Sequence, residues 1–241
     1  MLRKISAAVS GKSLEDHVAA AQASEPNSDA HRKALWGIRE AAEKSRNNDQ
    51  IVRSGALKVM VATLADGTSE EKLWALYVLR MLADDEVGAS FVLQEPNAIE
   101  SLVSALATSV MGSEHAKRSI ETFKGLAVHL STQVLLARED VYKVMVAAMN
   151  AQPPEAKAAL AVYALLSEVE SGSFPPCACF AFRAAARLTP TRAHINADAK
   201  SMDTEKARST LGMIQGNSDF SKEDRELAKR VLDHISGAGR A

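Results

Sequence analysis

The chain has 241 residues, 46% of them hydrophobic, and a chain of that length buries roughly 70–75% of its unfolded surface, enough for one core or an elongated stack. Lysine and arginine number 29 against 30 acidic residues, a net charge of −1, so the basic excess expected of a nucleic-acid binder is missing. Aromatic residues make up only 5% while alanine, leucine and valine recur throughout, which favours helices over twisted sheet, and no apolar run reaches the roughly 18 residues that a membrane-spanning helix needs.

The first residues, Met1 to Ser13, contain Arg3, Lys4 and Lys12, with no acid until Glu15. That bias is faintly like an organellar presequence, so a mitochondrial or other organellar destination stands as the alternative to a cytoplasmic one. Leu14–Ala23 reads as a cap helix, completing an N-terminal extension over residues 1–28. Asp29 to Lys44 reads as a third helix opening a repeat array over residues 29–170, its first two helices degenerate or replaced by Leu14–Ala23.

Internal repetition organises the middle of the chain. The segment Ser54-Gly55-Ala56-Leu57-Lys58-Val59-Met60-Val61-Ala62-Thr63-Leu64 is echoed by Pro96-Asn97-Ala98-Ile99-Glu100-Ser101-Leu102-Val103-Ser104-Ala105-Leu106, with Leu57 on Ile99, Met60 on Leu102, Val61 on Val103 and Leu64 on Leu106. The same offset of 42 carries Ile99 to Val141, Leu102 to Val144 and Val103 to Met145. Apolar positions at i, i+3, i+4 and i+7 define one face of a helix in each copy. A second helix follows, Leu73–Ala83 after the first copy and Ala159–Leu166 after the third, and the two align Leu76 with Val162, Tyr77 with Tyr163 and Leu79 with Leu165. Both are apolar nearly all round and are predicted to be buried. Thr68-Ser69-Glu70-Glu71 carries the signature of a capping box, and Pro153-Pro154-Glu155 that of a helix start. Residues 171–241 read as a degenerate last repeat and cap, with helices over Pro176–Leu188, Asp203–Ile214 and Ser221–Ile235, Ser221 as N-cap and Gly237 as stop.

Ile51-Val52-Arg53-Ser54-Gly55-Ala56-Leu57 resembles the short first helix and tight glycine turn of an armadillo repeat, and Lys72-Leu73-Trp74-Ala75-Leu76 resembles its long third helix. Glycine suits that junction because it tolerates a left-handed backbone; Asn97 can do the same in the next copy, whereas Glu139 in the third departs from the signature. The resemblance covers about Ala30 to Val169, with related HEAT-type repeats as its neighbour class. It implies an all-α, right-handed α-α superhelix, an armadillo-like solenoid of about four to five repeats.

In that family the third helices line a concave groove, and members that hold extended peptides use a tryptophan with an asparagine four residues later. Trp36 and Trp74 match the tryptophan, but Glu40 and Val78 stand where asparagine is expected, and Gly125 and Ala164 occupy the matching places later on. The amide ladder that grips a peptide backbone is therefore missing, which argues against nuclear-import-receptor activity. The groove is predicted to expose Trp36, Arg39, Glu40, Trp74, Tyr77, Lys124 and Tyr163 to a partner, the aromatic-plus-charge mixture of interface hot spots. From Ser171 to Ala197 there is no acid, and Arg183 and Arg187 share one helix face there, a further partner-binding candidate.

Catalytic and metal motifs do not emerge. Gly11-Lys12-Ser13 lacks the phosphate-loop glycine, since Ser6 stands in its place. Cys177 and Cys179 are one residue apart, too close for an unstrained disulfide or a zinc pair. The histidines show no paired metal-ligating spacing, and no Gly-x-Ser-x-Gly elbow exists. No cofactor and no metal are predicted. The reading is a non-enzymatic scaffold, adaptor or assembly subunit that binds another protein. An armadillo-type co-chaperone is a variant of it, and a HEAT-like nucleic-acid binder or DNA glycosylase is the rival from another class.

Overall fold

The computed structural model describes residues 12–45, 47–150, 153–170, 204–218 and 220–237. The predicted helix over Pro176–Leu188, together with Cys177, Cys179, Arg183 and Arg187, lies outside the described residues. The described residues form α-helices and contain no strand. They divide into two compact units, one ending at Ser109 and one beginning at Val110.

The first unit runs through α1 (Leu14–Ala23), α2 (Asp29–Ser45), α3 (Asn48–Arg53), α4 (Ala56–Asp66), α5 (Ser69–Leu82), α6 (Glu86–Gln94) and α7 (Ala98–Thr108). The triplet α3–α4–α5 is the repeat unit. A short helix enters, turns sharply and leads into two longer helices that pack on each other. The turn is made by Gly55, whose φ of 82° places α3 and α4 at an angle, and Asn97 does the same between α6 and α7 with φ 63°. An L side chain meets a steric penalty in this left-handed region, which glycine avoids and asparagine partly offsets. The repeated apolar face is the core of the unit: Leu57, Met60, Val61 and Leu64 are buried in α4, as are Ile99, Leu102 and Leu106 in α7.

Local signals set the helix starts. The Thr68 hydroxyl accepts from the Glu71 N–H, while Glu71 Oε2 accepts from the Thr68 N–H at 2.8 Å, closing the predicted capping box. Ser13 and Asp16 form the same arrangement at the head of α1. Among the described residues one helix, α1, precedes α2, and it packs against both α2 and α4.

The second unit contains α8 (Glu114–Val128), α9 (Leu130–Leu136), α10 (Glu139–Met149), α11 (Pro153–Glu170), α12 (Thr204–Gly216) and α13 (Lys222–Gly237). Here the junction has lost its signature. Arg138, at the head of α10, is extended, with φ −122° and ψ 148°. Position 139 is a glutamate inside the helix, so no left-handed turn is made, as the sequence predicts. Val141, Val144 and Met145 are buried in phase with the two earlier copies. α11 is packed by α8, α9, α10 and α13, and Lys157 reaches Asp224 at 3.3 Å to tie α13 to it. α13 starts at a further box in which the Ser221 hydroxyl accepts from the Asp224 N–H and the Asp224 carboxylate accepts from the Ser221 N–H, both at 3.1 Å.

Candidate partner-binding surface

The site is built on α2 and α5, which pack directly on each other. α2 turns Ala34, Leu35, Ile38 and Ala42 into the core, and its helical period places Trp36, Arg39, Glu40 and Glu43 on a separate stripe. Two contacts fix the register of α2. On one side Arg32 bridges to Glu70 of α5 at 2.6 Å. On the other, the buried His17 ring of α1 lies against Gly37 so closely that a Cβ there would stand 2.3 Å from Nδ1. Glycine is therefore a packing requirement inside this helix.

At the centre of the stripe the Arg39 guanidinium is held between two aromatic rings. Its Cζ lies 4.7 Å from the centroid of Trp36 on the same helix and 4.8 Å from that of Tyr77 on α5. Both distances fall within the range of a cation–π contact. Trp74 supports Trp36 from below, edge to face at 5.4 Å and 70°. The arginine also meets Glu43 at 3.5 Å, at the long limit of an ion pair, and Glu43 itself is 65% exposed while Arg39 is 22% exposed. Glu40 is engaged with Lys44 at 3.6 Å. The Trp36 indole N–H is buried and donates to no acceptor among the described residues.

The predicted residues thus separate. Trp36, Arg39, Glu40 and Tyr77 are half-buried; Arg39 meets Trp36 and Tyr77, while Glu40 faces Lys44. Trp74 is 4% exposed and serves as the platform beneath them, not as a contact. Tyr163, expected on the groove by its alignment with Tyr77, is 1% exposed and stacks edge-on with Tyr142 at 5.2 Å inside the second unit. Its helix is covered by four neighbours, so the aligned tyrosines occupy different environments. Lys124 is exposed on α8. Glu43 was not singled out in the sequence, although its i+4 spacing from Arg39 is visible there. A separate cleft of about 240 Å³ in the first unit is lined largely by apolar groups, among them Ala21, Pro26, Val59 and Ala62. Its histidine, His31, is already bound through Nδ1 to the Ala21 carbonyl at 3.0 Å. Among the described residues no group of histidine, cysteine or acidic side chains is placed to hold a metal ion, and no helix is long and apolar enough to cross a membrane.

No family model matches the sequence, and no curated protein is significantly similar to it. Solved structures are similar in fold. A designed armadillo repeat protein shares 18% identity with a TM-score of 0.63, over 97% of this chain and 91% of that one. A second designed armadillo repeat protein, solved in complex with the peptide (KR)4, shares 16% identity with a TM-score of 0.56, over 93% and 100%. An engineered protein shares 19% identity with a TM-score of 0.56, over 93% and 96%. Repeats recurring at the offset of 42, left-handed junctions at Gly55 and Asn97, and these likenesses agree that the chain has an armadillo-like helical repeat fold.

Proposed function

We propose that the chain is a non-catalytic scaffold or adaptor that binds a segment of a partner protein across the half-buried stripe of α2 and α5. The observation that carries this reading is the partly exposed Arg39 clamped between Trp36 and Tyr77 on two adjacent long helices. A rigid, pre-stacked arginine flanked by aromatic rings offers large contact area at little entropic cost, which is the chemistry of interface hot spots. The fold supports the reading by analogy, since one structural neighbour is a designed armadillo repeat protein in complex with a peptide. The chain lacks the asparagine row of peptide-backbone binders, so recognition here rests on side chains.

The test is affinity capture with tagged wild-type protein beside Arg39→Ala and Tyr77→Ala, with circular dichroism to establish that both variants are folded. A stoichiometric partner retained by the wild type and lost from both folded variants is the expected result. The same partner retained by both variants would move the binding surface elsewhere.

A further inference from the structure

We infer that the α2–α5 surface reads a carboxylate, so that the bound segment of the partner is acidic. This deepens the proposed function and rests on it. The ring faces of the site are already filled, because Arg39 occupies those of Trp36 and Tyr77 at 4.7 and 4.8 Å. A lysine or arginine from a partner would have to displace Arg39 from both rings, and on approach it would meet a like charge in a site partly withdrawn from water, where Coulomb repulsion is weakly screened. The aromatic pair is a cation slot whose cation is supplied by the protein itself.

What the site has left to give is hydrogen-bond donation. Arginine carries five N–H donors and no acceptor, and Arg39 directs one to Glu43 at 3.5 Å. That contact is long, and Glu43 is 65% exposed, so its carboxylate returns to water at small cost when another takes its place. The two rings hold the guanidinium carbon in place, and once Glu43 is exchanged its N–H groups can make the parallel, two-bond geometry that arginine forms with carboxylates. The Trp36 indole N–H, buried in the ring that Arg39 covers, is a donor with no acceptor among the described residues. A buried donor left unmade carries a free-energy penalty, which a partner carbonyl or carboxylate oxygen reaching it as Arg39 adjusts would relieve. An arginine whose one carboxylate contact is long and exchangeable, an indole donor without an acceptor, and ring faces already occupied by Arg39 select an acidic segment.

Fluorescently labelled extended peptides alternating alanine with glutamate, with glutamine or with lysine provide the test, read by anisotropy at low ionic strength against wild type, Arg39→Gln, Tyr77→Ala and Arg53→Gln. Arg53 is an exposed residue of α3, so its replacement removes the same charge away from the stripe. The expected result is tightest binding of the glutamate peptide, weakened about tenfold or more by Arg39→Gln, a loss of the size that one charge-assisted bond confers, and unchanged by Arg53→Gln. Tightest binding of the lysine or glutamine peptide, lost in Tyr77→Ala, would overturn the acidic preference while leaving the surface in place. Glutamate-peptide binding that Arg39→Gln does not weaken would also overturn it. If none of the three peptides binds, the surface and its preference fall together.

Discussion

His17 and Gly37 show how much of the first unit depends on single atoms. The imidazole lies where a Cβ at position 37 would be, with all three ring atoms nearest that point within 2.7 Å. Gly37→Ala must therefore push α1 away from α2, an overpacking change that costs roughly 1–3 kcal/mol, and thermal unfolding followed by circular dichroism is expected to show the lower midpoint. His17→Ala combined with Gly37→Ala removes the clash, so the double variant should be more stable than the sum of the two single losses; additive losses would show that the two residues are not in contact. Burial also lowers the pKa of His17 below 6.5, with Lys12 adding to the effect while Asp16 and Glu40 oppose it. In the unfolded chain the ring titrates near its ordinary value. Between the two the unfolded state binds more protons, so the stability held by neutral His17 is complete above pH 6.5 and is lost as pH falls through the folded value. Melts at pH above and below that point should show a larger acid-induced loss for wild type than for His17→Asn.

The repeat junctions carry the next scale, because one backbone angle there orients two helices. Gly55 at φ 82° and Asn97 at φ 63° hold the same turn with different residues. A left-handed conformation costs an ordinary L residue roughly 1–2 kcal/mol, so Gly55→Ala should lower the unfolding free energy by about that amount, while Asn97→Gly should hold or slightly raise it; denaturant titration of the two variants checks both signs. Arg138, at the head of α10, is extended and makes no left-handed turn, so Arg138→Gly should bring no gain. These elements were legible in the sequence because each rests on a local rule. Positive φ selects glycine or asparagine, a capping box pairs Thr68 with Glu71, and a helix face repeats at i, i+3, i+4 and i+7. The contents of the site were only half legible. Trp36 and Trp74 look alike in sequence, and nothing local tells that Trp74 is the buried platform and Trp36 the half-exposed ring. Tyr77 and Tyr163 align, yet the helices that cover Tyr163 come from α8, α9, α10 and α13, spread over more than a hundred residues of chain. The contact of His17 with Gly37 was invisible for the same reason, since a small residue inside a helix does not name the side chain that needs the space.

At the scale of the molecule, each compact unit buries a core of its own. The first centres on α4, α5 and α7, the second on α10 and α11 with α12 and α13 closing it. The chain contains two tryptophans, Trp36 and Trp74, and both belong to the first unit. Tryptophan emission therefore reports on that unit, while helical dichroism reports on both. In helical repeat proteins stability is a sum of local terms and nearest-neighbour interfaces, so damage in one core need not spread at full strength to the other. Val231 is 3% exposed on the inward face of α13, beside the fully buried Ala228, and Val231→Asp places an unpaired carboxylate in that core, a change among the most destabilising a single substitution can make. Its expected signature is a dichroism melt with an early, partial loss of helix, while the midpoint read from tryptophan emission stays at the wild-type value. If both signals fall together to a lower temperature, the two cores unfold as one cooperative system. The Arg39 clamp would then depend on the C-terminal helices for its stability, although none of its residues lies among them.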